Sequence, residues 1–108
     1  LADWMVKYVT VMKNNRDLER TYDAILKIRK RFKNSTLTDS SRFANQSYIF
    51  ANQFGPMLDI ALVIVKGSLL RNESRGSHYK EEFPDRNDAE FLKTTVATYD
   101  PATQEPVI

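Results

Sequence analysis

The chain has 108 residues, 42% apolar, 28% charged and 11% aromatic, with a net charge of +2. That length fits one domain with one core, and an apolar fraction this high with only three glycines excludes a wholly disordered or collagen-like chain. The absence of cysteine excludes disulfides, thiolate metal sites and cysteine nucleophiles together. The longest uninterrupted apolar run, Ile60 to Val65, is six residues, so neither membrane insertion nor a signal peptide is expected. Charge is unevenly spread. Residues 1–73 carry twelve Lys/Arg against seven Asp/Glu, and residues 74–108 carry four against seven. A basic front and an acidic tail can attract each other or two surfaces of one partner.

Taken in order, Leu1, Trp4, Met5, Tyr8, Val11 and Met12 recur at helical spacing, which predicts a first helix over 1–12, ended at Asn14-Asn15. A second helix is predicted from about Arg16 to Lys33. Its stripe is Leu18, Tyr22, Ile25 and Phe32, widened by Leu26 and Ile28. Acidic Asp17, Glu19 and Asp23 come early and basic Lys27, Arg29, Lys30, Arg31 and Lys33 late, which complements the helix dipole at both ends. A third and longest helix starts near Asp39, Ser40 or Ser41 as caps. Phe43, Ser47, Phe50, Phe54, Met57, Leu58, Ala61, Val65 and Leu69 carry its apolar face. Thirty residues of helix would span roughly 45 Å, with a kink or short break expected at Gly55-Pro56. Three amphipathic helices with short connections predict an all-α, antiparallel three-helix bundle (spectrin-repeat-like) over 1–73, in which part of the long helix finds no partner within the chain.

From Ser74 to Ile108 helical periodicity stops and charge rises, so this stretch is read as an irregular C-terminal tail of the same domain. Asn87-Asp88-Ala89-Glu90 can open one short helical turn. Thr94 to Tyr99 alternates, Asp100-Pro101 reads as a turn, and the residues after Gln104 can return as a second strand of a short β-hairpin. An isolated hairpin is marginal in water, so the tail needs the bundle or other protein to lean on.

Few catalytic arrangements can be composed. His78 is the sole histidine, and a metal site around it would need Glu81, Glu82 and Asp85 from an irregular segment. A triad of Ser74 or Ser77, His78 and Asp85 is too compressed in sequence for the required geometry. Glu81-Glu82 reads as solvated, and no glycine-rich phosphate loop exists. No catalytic, cofactor-binding or metal-ligating residue is therefore assigned. The basic run Lys27 to Lys33 raises nucleic acid or an anionic membrane as partners, but a solvated helix face is the favoured reading, and no nucleic-acid partner is expected. The unusual stretch is Arg71-Asn72-Glu73-Ser74-Arg75-Gly76-Ser77-His78-Tyr79 at the end of the long helix. Gly76 permits a positive φ, and Arg75 can hold a carboxylate or a phosphate bidentately. Helix capping with local salt bridges and binding of a carboxylate or phosphate are equally open on physical grounds.

Asn72-Glu73-Ser74-Arg75-Gly76-Ser77-His78-Tyr79-Lys80, followed by Phe83-Pro84-Asp85-Arg86-Asn87-Asp88 and Phe91-Leu92-Lys93-Thr94, resembles the C-terminal region of the flavoprotein subunit of succinate dehydrogenase and fumarate reductase. The helical layout upstream is similar too. Ser77 stands where that family often has alanine and Thr94 where it often has histidine. The L-aspartate oxidases share the first part of the motif, and the Arg86-Asn87-Asp88 and Leu92-Lys93-Thr94 continuation favours the succinate/fumarate branch. The resemblance implies an oxidoreductase of electron transport and the tricarboxylic acid cycle, with FAD carried by the parent subunit and none by these residues. The family's flavin, dicarboxylate and proton-delivering motifs lie upstream and are absent here, so the expectation is an excised C-terminal domain, inactive alone. Position 1 is leucine rather than methionine, in keeping with that. The implied partners are the flavin-binding domain of the same chain and an iron–sulfur subunit, in a membrane-associated complex on the cytoplasmic side. Self-association of the fragment is also plausible through surface bared by excision. Glu73, Ser74, Arg75, Gly76, His78, Tyr79, Arg86 and Asp88 are the candidate inter-domain residues. The competing readings are the same domain of an L-aspartate oxidase and a standalone helical interaction module.

Overall fold

The computed structural model describes residues 1–38 and 40–108. In chain order these form α1 (Ala2–Tyr8), β1 (Met12–Lys13), α2 (Asn15–Lys33), α3 (Gln46–Leu70), β2 (Tyr79–Lys80), α4 (Asp88–Phe91), β3 (Thr98–Asp100) and β4 (Glu105–Val107). Helix α2 starts where the Asn14 carboxamide accepts from the Asp17 amide at 2.8 Å, so a side chain satisfies one of the first turn's orphan donors. The Glu82 carboxylate takes the Asn15 amide at 2.8 Å and adds negative charge at the positive end of the helix.

Helices α2 and α3 pack antiparallel, with Phe32 edge-on to Phe54 at 5.2 Å between ring centres and Arg29 3.4 Å from Asp59. Leu18 and Ile25 of α2 and Leu58, Ala61, Leu62 and Val65 of α3 are buried, and Val9 closes the core after α1. The helical class holds, but the three-helix bundle does not. Helix α1 has only seven residues and packs chiefly on α2, and β4 takes the third place against α3. Two further expectations are corrected. The first helix stops at Tyr8 rather than Met12, because Met12 and Lys13 extend to pair with another segment. Helix α3 begins at Gln46, where the Asn45 side chain accepts from the Tyr48 amide at 2.9 Å, and not near Ser40 or Ser41. The third cap candidate, Asp39, lies outside the described residues. Ala44, with φ 50°, turns the backbone left-handed just before the true cap.

Helix α3 runs through Gly55-Pro56 without a break. Pro56 is on the exposed side of the helix, where the carbonyl it leaves without a donor is open to water. The buried side is held by Phe32, whose ring lies where a Cβ on Gly55 would be in ordinary van der Waals contact at 3.5 Å. In the first two turns of α3, Tyr48, Ile49 and Phe50 are exposed. The radius of gyration is 16.5 Å, against about 13 Å for a compact chain of this length. By length and composition alone α3 is long and apolar enough to cross a bilayer, which a search for uninterrupted apolar runs does not detect.

The tail folds back on the helices. Strands β3 and β4 pair antiparallel, as the alternation predicted. Asp100 builds the turn by accepting from the Ala102 amide and the Thr103 hydroxyl, both at 2.9 Å. The hairpin is pinned by Tyr22, whose hydroxyl donates to Glu105 at 2.7 Å, by Arg29 and Lys33, which donate to Gln104, and by Lys66, which donates to the Pro106 carbonyl. Two members of the basic run are thereby committed within the chain. Besides the motif's own Glu73–Arg75 pair, no ion pair among the described residues joins 1–73 to 74–108, and the two are linked by hydrogen bonds that include the tail carboxylates Glu82, on the Asn15 amide, and Glu105, on the Tyr22 hydroxyl.

The end of α3 is closed from outside the helix. No basic residue lies in its last turn, and the missing cation comes from Lys80, fully buried on β2, whose ammonium donates to the Leu69 carbonyl and the Asn72 Oδ1, each at 3.0 Å. Lys80→Ala removes the donor from the Leu69 carbonyl, one of the helix's unpaired terminal carbonyls, and from Asn72 Oδ1, and is expected to destabilise the chain by about 1–3 kcal/mol. A urea titration checks this, and an unchanged midpoint would contradict it.

Candidate functional site

The motif residues gather beyond the C-terminus of α3. Arg75 and His78 exchange backbone hydrogen bonds of 2.8 and 3.0 Å, and the two residues between them turn the chain with Gly76 at φ 58°. This is the position where a tight hairpin turn places glycine, so a side chain there would be strained. The next residues pair in parallel with the α1–α2 connection, Met12 opposite Tyr79 and Lys13 opposite Lys80. The Tyr79 amide reaches the Val11 carbonyl at 3.1 Å and the Glu81 amide reaches that of Lys13 at 2.9 Å. Ser74 closes the loop: its hydroxyl accepts from the Lys80 amide at 3.0 Å and donates to the Phe83 carbonyl at 2.7 Å.

At the centre is Glu73, fully buried. Its Oε1 accepts from Arg71 and from Arg75 Nε at 2.9 Å, and its Oε2 from Arg75 Nη2 and the Asn87 amide, both at 3.0 Å. Four donors thus satisfy both oxygens, and Arg75 grips the group bidentately. Arg75 Nη2 also reaches Asp88 at 2.5 Å, and Asp88 in turn is held bidentately by Arg86 at 2.8 and 2.7 Å. The result is a continuous line Arg71–Glu73–Arg75–Asp88–Arg86. The Arg75 hydrogen bonds hold the Glu73 carboxyl down to about 2, against the opposing effect of desolvation, with Asn87 and Arg71 adding to them. Asp88 is likewise held to about 2, first by Arg86 and then by Arg75.

Arg71 and Lys80, both within the motif stretch, were not among the candidate inter-domain residues. Arg71, the C-cap of α3, donates to Glu73, to the Phe91 carbonyl at 3.0 Å and to the Lys93 carbonyl at 2.8 Å, and so ties α4 and its following loop to the end of α3. Its position two residues before a glutamate at a helix end was the available signal. Burial of Lys80 left no signal, because a lone lysine ordinarily reads as surface. His78 Nε2 lies 3.1 Å from the Arg71 carbonyl and therefore carries a proton. Burial, with Lys13, Lys80 and Arg71 nearby, lowers its basicity. Of the predicted site residues, Glu73, Arg75, Arg86 and Asp88 form one network, and Ser74, Gly76, His78 and Tyr79 shape the loop around it. No group of three His, Asp or Glu side chains among the described residues is arranged to hold a metal.

Residues 1–108 match the family described as fumarate reductase flavoprotein C-term, and the chain belongs to that family. It is 46% identical over 99 residues to the succinate dehydrogenase flavoprotein subunit of Bacillus subtilis, covering 92% of this chain and 17% of that protein. The fumarate reductase flavoprotein subunit of Mycobacterium tuberculosis is 37% identical over 79 residues, covering 73% of this chain and 14% of that one. An E. coli quinol fumarate reductase chain superposes with a TM-score of 0.87 at 28% identity, over 92% of this chain and 17% of its own length. The chain thus spans about a sixth of the relatives it matches.

Both depressed carboxylates fix the sign of an acid response. Their contribution to stability is complete above the ordinary values of 4.5 and 3.8 and is lost as pH falls toward about 2. Unfolding midpoints measured between pH 6 and pH 2 (a range set by those values) should fall steadily in the acid limb, and Glu73→Gln should flatten that limb while lowering stability at neutral pH. An equally steep limb in the variant would assign the acid response elsewhere.

Proposed function

We propose that this chain is the C-terminal helical domain of a flavoprotein subunit that interconverts succinate and fumarate, with FAD and the redox chemistry on the longer part of the subunit and this domain serving assembly. The parent works with an iron–sulfur subunit in a membrane-associated complex, on its cytoplasmic side. The observation that carries this reading is the division of labour inside the chain. Its charged motif is spent mostly on closing the end of α3, while a groove of about 460 Å³ between α1 and α3 stays uncovered, lined by Leu1, Met5, Phe54, Met57, Ile60 and Ile64. Met57, Ile60 and Ile64 are all exposed, and an apolar face of this size on a charged domain is what an inter-domain contact leaves when its partner is absent.

The same observation favours protein over lipid as the covering for α3. Asp59 and Lys66 on that helix are engaged by Arg29 and the Pro106 carbonyl, which keeps charge along a helix that a bilayer would penalise. Glu73, Ser74, Arg75, Gly76, His78, Tyr79, Arg86 and Asp88 act in this reading as the frame that presents the docking surfaces, with two nitrogens of Arg75 already spent on Glu73 and Asp88.

Ile60→Glu in the full-length subunit should leave this domain folded, because the side chain is 60% exposed, yet lower the yield of flavin-loaded, assembled subunit several-fold. The 108-residue chain itself should take up no FAD and support no succinate-dependent dye reduction. Normal assembly of the variant, or flavin bound by the chain alone, would overturn the proposal.

A further inference from the structure

An open pocket of about 530 Å³ lies on the outer side of the motif, between the turn at Arg75–His78 and the loop after α4. Arg71, Arg75, His78 and Lys93 line it together with Phe91 and Leu92, and no carboxylate does. The charges behind it do not cancel. Glu73 and Asp88 are shared among Arg71, Arg75 and Arg86, so three guanidiniums face two carboxylates before Lys93 is added. Two groups at the pocket still have donors to give. Among the described residues, Arg75 uses Nε and Nη2 and has no acceptor at Nη1, and the Lys93 ammonium has none at all. Beside them Leu92 is 69% exposed.

We infer that this pocket receives an acidic polypeptide segment from outside residues 1–108, a carboxylate side chain meeting Arg75 Nη1 and Lys93 while neighbouring apolar atoms cover Leu92. Charge complementarity calls for the carboxylate. The exposed leucine calls for a covering that carries apolar surface as well, and the pocket is far too open for one small dicarboxylate to be desolvated in it. A segment presented by a docked protein surface meets all three conditions. The inference rests on the docking role proposed above and names the chemistry of one contact surface, whose lining shares no residue with the apolar α1–α3 groove.

The test uses the full-length flavoprotein subunit and its assembled complex, with a water-soluble carbodiimide, which joins a lysine amine directly to a carboxylate in contact with it. Peptide mass spectrometry should find Lys93 joined to an Asp- or Glu-containing peptide from beyond these 108 residues. The product should be lost in Lys93→Gln and should fall at least about threefold when salt is raised from ~0.05 M to ~0.5 M, because screening shortens the reach of the charges. Lys93 left uncoupled, coupled only to carboxylates within 1–108 such as Glu90, or coupled only to added succinate would overturn the inference. If Lys93 gives no such product while Ile60→Glu still blocks assembly, the pocket's assignment fails and the docking role stands. If neither responds, the docking role itself fails.

Discussion

Everything at the working end of this domain depends on one carboxylate placed where water cannot reach it. Glu73 sits two residues past the C-cap of α3 and is fully buried. A charge in that position is tolerable only if donors replace its hydration. Four do so, from Arg71, Arg75 and the Asn87 backbone. Those donors come from the helix end, from the turn that follows it and from the N-cap of α4, so meeting the needs of one side chain brings three separate pieces of backbone together.

The buried lysine makes the complementary contribution. A helix of 25 residues ends with its carbonyls unpaired and its negative pole exposed. Lys80 supplies the cation from β2, and the parallel pairing of β2 with β1 sets where Lys80 stands. The connection between α1 and α2 is thereby joined to the end of α3. The motif closes the far end of the helical pair, and the apolar surface left over lies along α1 and α3, away from the ion network.

Much of this was legible in the sequence, for reasons that can be stated residue by residue. Helix α2 was readable because its apolar stripe and its acidic-to-basic gradient agree. The short turn at Asn87 and the hairpin around Asp100 were readable because cap and turn chemistry is local. The positive φ of Gly76 was foreseen. The failures were non-local. Pairing of Met12–Lys13 with Tyr79–Lys80 cuts α1 short, and two-residue strands leave no periodicity to detect. The start of α3 was misplaced because Ser40, Ser41 and Asn45 offer equivalent cap chemistry, and only the left-handed turn at Ala44 selects among them. Helical spacing suggested an uneven three-helix bundle with a short first helix, but α1 has only seven residues and packs chiefly on α2. The internal use of Arg75 also bears on the motif: capping with local ion pairs and binding of a carboxylate or phosphate stood equal by residue type, and the geometry spends most of that guanidinium within the chain.

The central claim is that Glu73 organises the motif as a single unit, and amide hydrogen exchange in Glu73→Gln measures this most directly. The account predicts that protection is lost together at Asn87, whose amide binds the carboxylate, and at Arg75, His78 and Tyr79, whose amides do not touch it. Loss confined to Asn87, with the turn and the β1–β2 pairing still protected, would contradict it.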